Sequence, residues 1–505
     1  MKNAPDTSDE RGSTFRVALG IVAAVTIVRC LVLVLTPLNF YPDEAQYWWW
    51  AQTPDLGYYS KPPMIAWIIW LCTHLLGDAE WAVRLPSPIL HGATALLVFG
   101  IARHATTARL SLLSALAYLT LPGVSWSSGL ISTDVPLLFF WAAALHAFLR
   151  ACEDASWLWP VVCGIALGLG LESKYAMMYF PLGALIATLF STDVRRIVFG
   201  TRGLVILSIG VLLLAPNFVW NAMHDFPTVA HTEANADWSR SRYSIGSALG
   251  FLFGQFGVFG PVLMAGFIGA VWRLARDVPR SAPSLVLASF SFPPLLLIFV
   301  QSFIAGANAN WAATAFVAAT PLAIVELARW WQGRALWISF AINAGAMLVL
   351  WVFLVRPDIA NAAGAGNALK REEGWRNLGE AVVQAAKAGP YTSIAADNRS
   401  VVAELLYYAR PRTVPIRVWT RDLNIRDHFE MTLRLEPGAT HVLLVIEPAS
   451  RPRVLATFDS ARLIRAVPVP IGGAHIRAID LFDAGSYRGP GSPSRTRTDS
   501  PASVL

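Results

Sequence analysis

The sequence predicts an α-helical polytopic membrane protein: about eleven transmembrane helices, then a small C-terminal α/β extracytoplasmic domain. Three observations carry that expectation. Of 505 residues, 55% are hydrophobic and only 14% charged, whereas soluble domains carry roughly a quarter charged residues. Apolar runs long enough to cross about 30 Å of hydrocarbon recur along the first two thirds of the chain. After Val355 the composition turns polar and shorter periodic segments begin. The excess of 40 Lys and Arg over 33 Asp and Glu, a net charge of +7, suits basic cytoplasmic loops and anionic lipid contacts. It does not point to nucleic acid. The 20 Trp suit helix ends at two membrane interfaces. Cys30, Cys72, Cys152 and Cys163 have neither metal-ligand spacing nor a disulfide framework.

Residues 1–15 are polar and read as a cytoplasmic tail. The run Val17–Leu35 lacks a cleavage site after a short core, so it reads as an anchor helix. Spans follow at Pro86–Ala102, Leu110–Pro122, Leu130–Leu149, Trp157–Leu171, Tyr175–Phe190, Gly203–Trp220, Ala248–Trp272, Leu285–Ile304, Ala312–Leu327 and Ala335–Val355. Met64–Leu76 is apolar but too short to cross, and reads as an interfacial helix after Pro62 and Pro63. Counted from a cytoplasmic N-terminus, Lys and Arg crowd alternate loops, among them Arg103, Arg109, Arg195, Arg196, Arg273 and Arg276. The expected divisions are a membrane domain over 16–355 with its first outer loop at 37–85, an outer α/β domain over 356–485, and a disordered tail over 486–505. In the outer domain Ser393–Asp397 and His441–Glu447 read as buried strands, and Val401–Ala409 as a helix.

The cations on the outer side break the topological preference and need another reason to be there. The first outer loop begins with Asp43 and Glu44 at the start of a helix rich in Tyr and Trp. Both carboxylates suit a helix N-terminus. Walled by Tyr47 and Trp48 to Trp50, a carboxylate there also loses water, which strengthens it as a proton acceptor. Lys61 follows Tyr58 and Tyr59 and precedes a rigid Pro-Pro. Snorkelling explains a lysine at an interface; a shaped loop presenting an ammonium to a phosphate explains it as well. Asp134 opens a helix and fits a cap. Lys174 reads either as a local ion-pair partner of Glu172 or as a second phosphate-facing cation. The loop Asn221–Tyr243 holds His224, His231, Arg240 and Arg242. Two His seven residues apart lack the further ligands that a zinc site requires. The arginines suit phosphate or an acidic sugar, because a guanidinium grips oxyanions with two donors. Asn310 reads as a helix cap. The expected topology puts all these residues on one face, at the level of lipid head groups.

The segments Tyr41-Pro-Asp-Glu-Ala-Gln-Tyr-Trp48, Gly57-Tyr-Tyr-Ser-Lys-Pro-Pro-Met64 and Arg84-Leu-Pro-Ser87 resemble glycosyltransferase family 39 and its bacterial relatives. These are GT-C membrane transferases that use polyprenyl-phosphate sugars. They include protein O-mannosyltransferases, the lipid A aminoarabinose transferase and lipopolysaccharide galacturonosyltransferases. Glu373-Gly-Trp-Arg376, Ala395–Arg399, Ala403–Tyr408 and Asp427–Glu430 extend the likeness to the bacterial branch. The resemblance implies that Asp43 is the catalytic carboxylate, with Glu44 beside it. Lys61 would hold the donor phosphate, assisted by Tyr59, Arg84, Lys174, Arg240 and Arg242. Asp134, His224, His231 and Asn310 would serve the acceptor or the structure. It implies a polyprenyl-phosphate sugar donor, a glycolipid or protein acceptor, and the bacterial inner membrane with the site on the periplasmic side. A phosphomonoester leaving group makes no metal or other cofactor obligatory. Two other readings stand beside this one. A protein O-mannosyltransferase-like enzyme would share the donor chemistry. A transporter of a lipid-linked or anionic solute would place polar residues at the bilayer midplane in paired repeats, and no internal repeat is visible in the sequence.

Overall fold

The computed structural model describes residues 8–237, 243–277, 281–473 and 475–491. The chain forms two compact units. One comprises residues up to Pro37 together with Thr53–Arg356; the other comprises Leu38–Gln52 together with the chain from Pro357. The chain changes unit after Arg356, and Leu38–Gln52, the start of the expected first outer loop, groups with the later unit.

The first unit is helical throughout its ordered elements. Among the described residues, six helices are long and apolar enough to cross a membrane: Gly12–Leu35, Glu80–Arg103, Asp134–Glu153, Thr201–Met223, Ala282–Ile304 and Trp330–Val355. A seventh arises if the bent pair Ile245–Phe259 and Pro261–Arg276 counts as one. The remaining predicted spans coincide with shorter apolar helices, among them Ala108–Thr120, Leu158–Ser173 and Ala315–Leu327. Of the about eleven expected spans, six or seven thus meet the length of a single long crossing helix among the described residues. The predicted span Ala248–Trp272 bends by 109° between its two helices. Gly260 lies at the break with φ +93°, a backbone region that favours glycine, and Pro261 starts the next helix without needing an amide donor. Likewise Tyr175–Phe190 is a 3-10 turn, Tyr175–Met178, followed by the helix Tyr179–Ala187. The first helix begins at Ser8, so most of the expected polar tail is helical.

Tight helix packing in this unit uses glycine. Gly164 and Gly168 lie one turn apart on Leu158–Ser173. A Cβ on Gly164 would stand 2.9 Å from the Ile206 carbonyl oxygen, and one on Gly168 would stand 2.6 Å from Leu213 Cβ. The two backbones can approach only because neither side chain exists. The buried core includes Trp141, Phe180, Phe290 and Phe316. Arg29 is buried there, and its guanidinium donates to the Leu119 carbonyl.

The second unit is built on a five-stranded sheet of order β2-β1-β3-β5-β4, with β1 at Ser393–Ala396, β2 at Ile416–Val418, β3 at Val442–Ile446, β4 at Ala461–Pro470 and β5 at Ile476–Ala484. β1 pairs in parallel with β2 and β3, while β5 pairs antiparallel with β3 and β4. The helix Arg399–Tyr408 lies between β1 and β2 in the chain, making a βαβ crossover. Every residue of β3 is buried, as its unbroken Val-Leu-Leu-Val-Ile run requires of a central strand. β4 is a largely exposed edge strand carrying Arg462, Arg465 and two prolines, features that block further pairing. The predicted strands and helix match β1, β3 and Arg399–Tyr408 to within two residues; β2, β4 and β5 were not anticipated. The domain also extends past the expected start of the tail: Tyr487 is buried and bridges to Phe458. Residues 492–505 lie outside the described residues.

Candidate functional site

The helix Pro42–Ala51 carries the acidic pair. Pro42 suits the first turn, where its missing donor costs nothing. Glu44 is fully buried, and its Oε2 accepts the Tyr41 backbone N–H at 2.9 Å. That contact turns its carboxylate back onto the helix start. Asp43 is one third exposed, and its Oδ1 accepts from Arg399 Nη2 at 2.8 Å. Arg399 Nη1 donates to Gln46 Oε1 at 2.7 Å, so one guanidinium spans one helical turn. Burial alone would lower the Arg399 pKa; the charge and hydrogen bond of Asp43 outweigh it and hold the guanidinium above its ordinary value.

The aromatic face of this helix is covered by protein, where the sequence suggested exposure at a membrane interface. Trp48 and Trp50 are each 1% exposed, covered by the C-terminal part of the same unit. Trp48 meets Tyr407 edge-on at 4.9 Å, and Trp50 meets His428 at 5.4 Å. The Arg410 guanidinium lies 4.0 Å from the Tyr407 ring and 4.7 Å from that of Trp48. Phe40 N donates to Tyr408 Oη at 2.7 Å. The Ala403–Tyr408 segment is thus the platform on which the first-loop helix rests.

The first unit brings other predicted residues together. Lys174 Nζ donates to Asp134 Oδ1 at 2.6 Å, and Asn310 Nδ2 to Asp134 Oδ2 at 2.8 Å. Two donors from separate segments therefore share the one Asp134 carboxylate. Neither local reading of Asp134 and Lys174 describes this: Asp134 pairs across the fold instead of capping, and Lys174 pairs with Asp134 instead of Glu172. Asn310 is likewise a cross-fold donor within the 3-10 turn Ala309–Ala312.

Lys61 closes a tight hairpin in which Tyr58 N donates to the Lys61 carbonyl at 3.2 Å. The loop's shape is imposed from several sides. Asn217 Nδ2 donates to Leu56 O, Trp220 Nε1 to Asp55 Oδ2 and Thr228 Oγ1 to Tyr58 O. Gly57 is needed because a Cβ there would stand 2.5 Å from the Trp220 ring. Tyr59 and His231 form an edge-to-face pair at 5.7 Å. His224 instead stacks on Trp220 at 4.2 Å, so the two His residues have different partners. Arg84 is 2% exposed. Arg240 and Arg242 lie outside the described residues. Asp43 and Glu44 belong to one unit, and Lys61, Lys174 and Asp134 to the other.

Sequence reasoning missed Arg399 as a partner of Asp43, and Asp55, Asn217 and Trp220 as the frame of the Lys61 loop. The segment Ala395–Arg399 was noticed as a motif, but its contact lies 356 residues from Asp43. No local periodicity reports such a pair.

Comparison with known proteins places the chain. The family model described as dolichyl-phosphate-mannose-protein mannosyltransferase matches residues 60–220. ArnT from Cupriavidus metallidurans, crystallised with undecaprenyl phosphate, has the same fold: TM-score 0.66 at 18% identity, covering 94% of this chain and 99% of that one. The lipid A galacturonosyltransferase RgtD of Rhizobium johnstonii is 37% identical over 398 residues, 78% of this chain and 83% of RgtD. The lipopolysaccharide core galacturonosyltransferase RgtA of the same organism is 28% identical over 210 residues, 41% of this chain and 42% of RgtA. The chain belongs to the GT-C family of multi-pass membrane glycosyltransferases, in the bacterial branch that contains RgtD and ArnT. It is a glycosyltransferase, and its long likeness within that branch is to RgtD.

Proposed function

We propose that this enzyme moves a galacturonosyl residue from a polyprenyl-phosphate donor to lipid A or the lipopolysaccharide core, on the periplasmic side of a bacterial inner membrane. The observation that carries the reading is the 37% identity to the lipid A galacturonosyltransferase RgtD over most of both chains. The structure supplies parts that suit the chemistry. An acceptor oxygen attacks the anomeric carbon, the bond from that carbon to the phosphate oxygen breaks, and polyprenyl phosphate departs with the bonding pair. Where the acceptor is a hydroxyl, its proton goes to Asp43. Arg399 grips Oδ1 and fixes the carboxylate, which leaves Oδ2 for the proton. Where the acceptor is a phosphate, it arrives ionised and Asp43 only orients it. Lys61, held in its braced hairpin, is assigned the donor phosphate, where a positive charge stabilises the departing anion. Arg84, Arg240 and Arg242 are assigned supporting roles toward it.

The test is mass spectrometry of lipid A and core oligosaccharide from a deletion strain, with complementation. Loss of one hexuronate, restored by the wild-type gene, supports the proposal. Loss of a pentosamine would change the sugar, and an altered glycoprotein with unchanged lipopolysaccharide would move the acceptor to protein.

A further inference from the structure

The unit that contains Asp43 also holds a polar cavity of about 160 Å³, lined in part by Arg371, Trp375, Asn398, Ser400, Glu447 and Arg477. Pro42 forms part of its wall. Arg399, which holds Asp43, falls between the lining residues Asn398 and Ser400. The cavity therefore adjoins the start of the first-loop helix.

Its two guanidiniums each lie over an aromatic ring. Arg477 lies 3.8 Å from the Trp375 ring centre, and Arg371 lies 4.2 Å from that of Tyr41. Trp375 Nε1 donates to the Arg371 carbonyl at 2.8 Å, tying one plate to the other arginine's backbone. Arg477 Nη2 donates to Lys370 O at 3.3 Å, but Nη1 is buried with no hydrogen-bond partner among the described residues. Burial lowers the Arg477 pKa, and the charges of Glu404 and Glu447 oppose that fall. Across the cavity, Glu447 Oε1 accepts from Asn398 Nδ2 at 3.3 Å. A guanidinium placed over a ring with an unused donor is already ordered for an oxyanion, and its planar fork fits one better than an ammonium does.

We infer that this cavity binds an oxyanion, phosphate or carboxylate, carried on a hydroxylated sugar ring. Arg477 and Arg371 take the oxyanion and Glu447 accepts from a ring hydroxyl. The inference rests on the transfer reading above and names what that site recognises. The oxyanion has two sources: a phosphate on the glycolipid acceptor, or the carboxylate of a uronosyl donor.

The experiment uses the purified full-length enzyme. In a binding arm, its Tm is followed with D-galacturonate, glycerol 1-phosphate and galactose. The two anions should raise Tm in the wild type and not in Arg477→Gln or Arg371→Gln, and galactose should do little. In a kinetic arm, Arg477→Gln should raise one KM by about 10- to 100-fold, the loss expected for a hydrogen bond to a charged group, and move kcat less. Arg477→Lys, which keeps the charge, should recover only part. A rise in acceptor KM that wild type reproduces with dephosphorylated acceptor identifies the acceptor phosphate. A rise in donor KM confined to uronosyl donors identifies the carboxylate. Equal Tm shifts with galactose, or anion shifts retained in both Gln variants, overturn the inference, as does an unchanged pair of KM values. If wild type transfers no sugar at all, the transfer reading fails, and the binding arm still decides whether the cavity takes the anion.

Discussion

Asp43 and Glu44 are adjacent and so point about 100° apart around their helix. The structure gives them different work. Glu44 is buried and bonded to the backbone at its own helix start, while Asp43 is partly exposed and paired with Arg399. Asp43→Asn keeps the shape and loses the charge. It should lower transfer by about 10²–10⁴-fold at equal protein level, the range of a lost general base. Glu44→Gln keeps an oxygen for the Tyr41 N–H and should cost transfer far less. Equal losses in both variants would remove the distinction. Arg399→Gln should also slow transfer, and adding it to Asp43→Asn should cost little more, because the arginine acts through the carboxylate. Full additivity in that cycle would separate the two residues. The carboxylates were legible in the sequence because charge at a helix start is a local signal. Arg399 was not, because its meaning comes from a partner far along the chain.

At the scale of helices, the membrane-buried unit was legible wherever an apolar run was long and unbroken. Its errors fall at interruptions. The Gly260-Pro261 break stands in the sequence as a strong turn dipeptide, yet the apolar run continues through it, and hydropathy masks the bend. β4 escaped notice because an exposed edge strand with charges and prolines has no buried alternation to display. The Leu158–Ser173 and Thr201–Met223 pair gives a prediction. Gly168→Val pushes a branched side chain toward Leu213 Cβ, where even one carbon would stand 2.6 Å away. Overpacking of this kind should destabilise the protein by about 1–3 kcal/mol, read as a lower Tm of the detergent-solubilised enzyme. Gly20, with nothing within 4 Å of an added Cβ, is the control. A Gly168→Val variant as stable as Gly20→Ala would mean that the helices adjust without loss.

For the molecule as a whole, the alternation of basic loops predicts an inside N-terminus and an outside C-terminal unit. Alkaline phosphatase fused after Val355 should be active, and a cytoplasmic reporter at the same point silent. The reverse pattern would invert the orientation and move the proposed site to the cytoplasm. Lys61→Ala should weaken use of the polyprenyl-phosphate sugar by about 10-fold or more, and Lys61→Arg should restore part. Unchanged transfer in the Ala variant would leave Lys61 as an interface anchor. The two-part organisation was legible from the change in composition near Val355. That Leu38–Gln52 belongs with the later part was not, since its Tyr and Trp residues are as suitable for a membrane interface as for a protein surface.

That membership has a consequence for how the enzyme is made. The helix bearing Asp43 leaves the ribosome 356 residues before the arginine that orients its carboxylate. At roughly 5–20 residues per second, the interval is about 20–70 s. Throughout it Trp48 and Trp50 lack the surface that buries them, and the helix is an unfinished half of a domain. An incomplete chain, stalled or cut short before the crossover helix, would carry every membrane segment and still lack a fixed carboxylate. The Asp43 carboxylate meets its arginine only after the last described apolar span has been made.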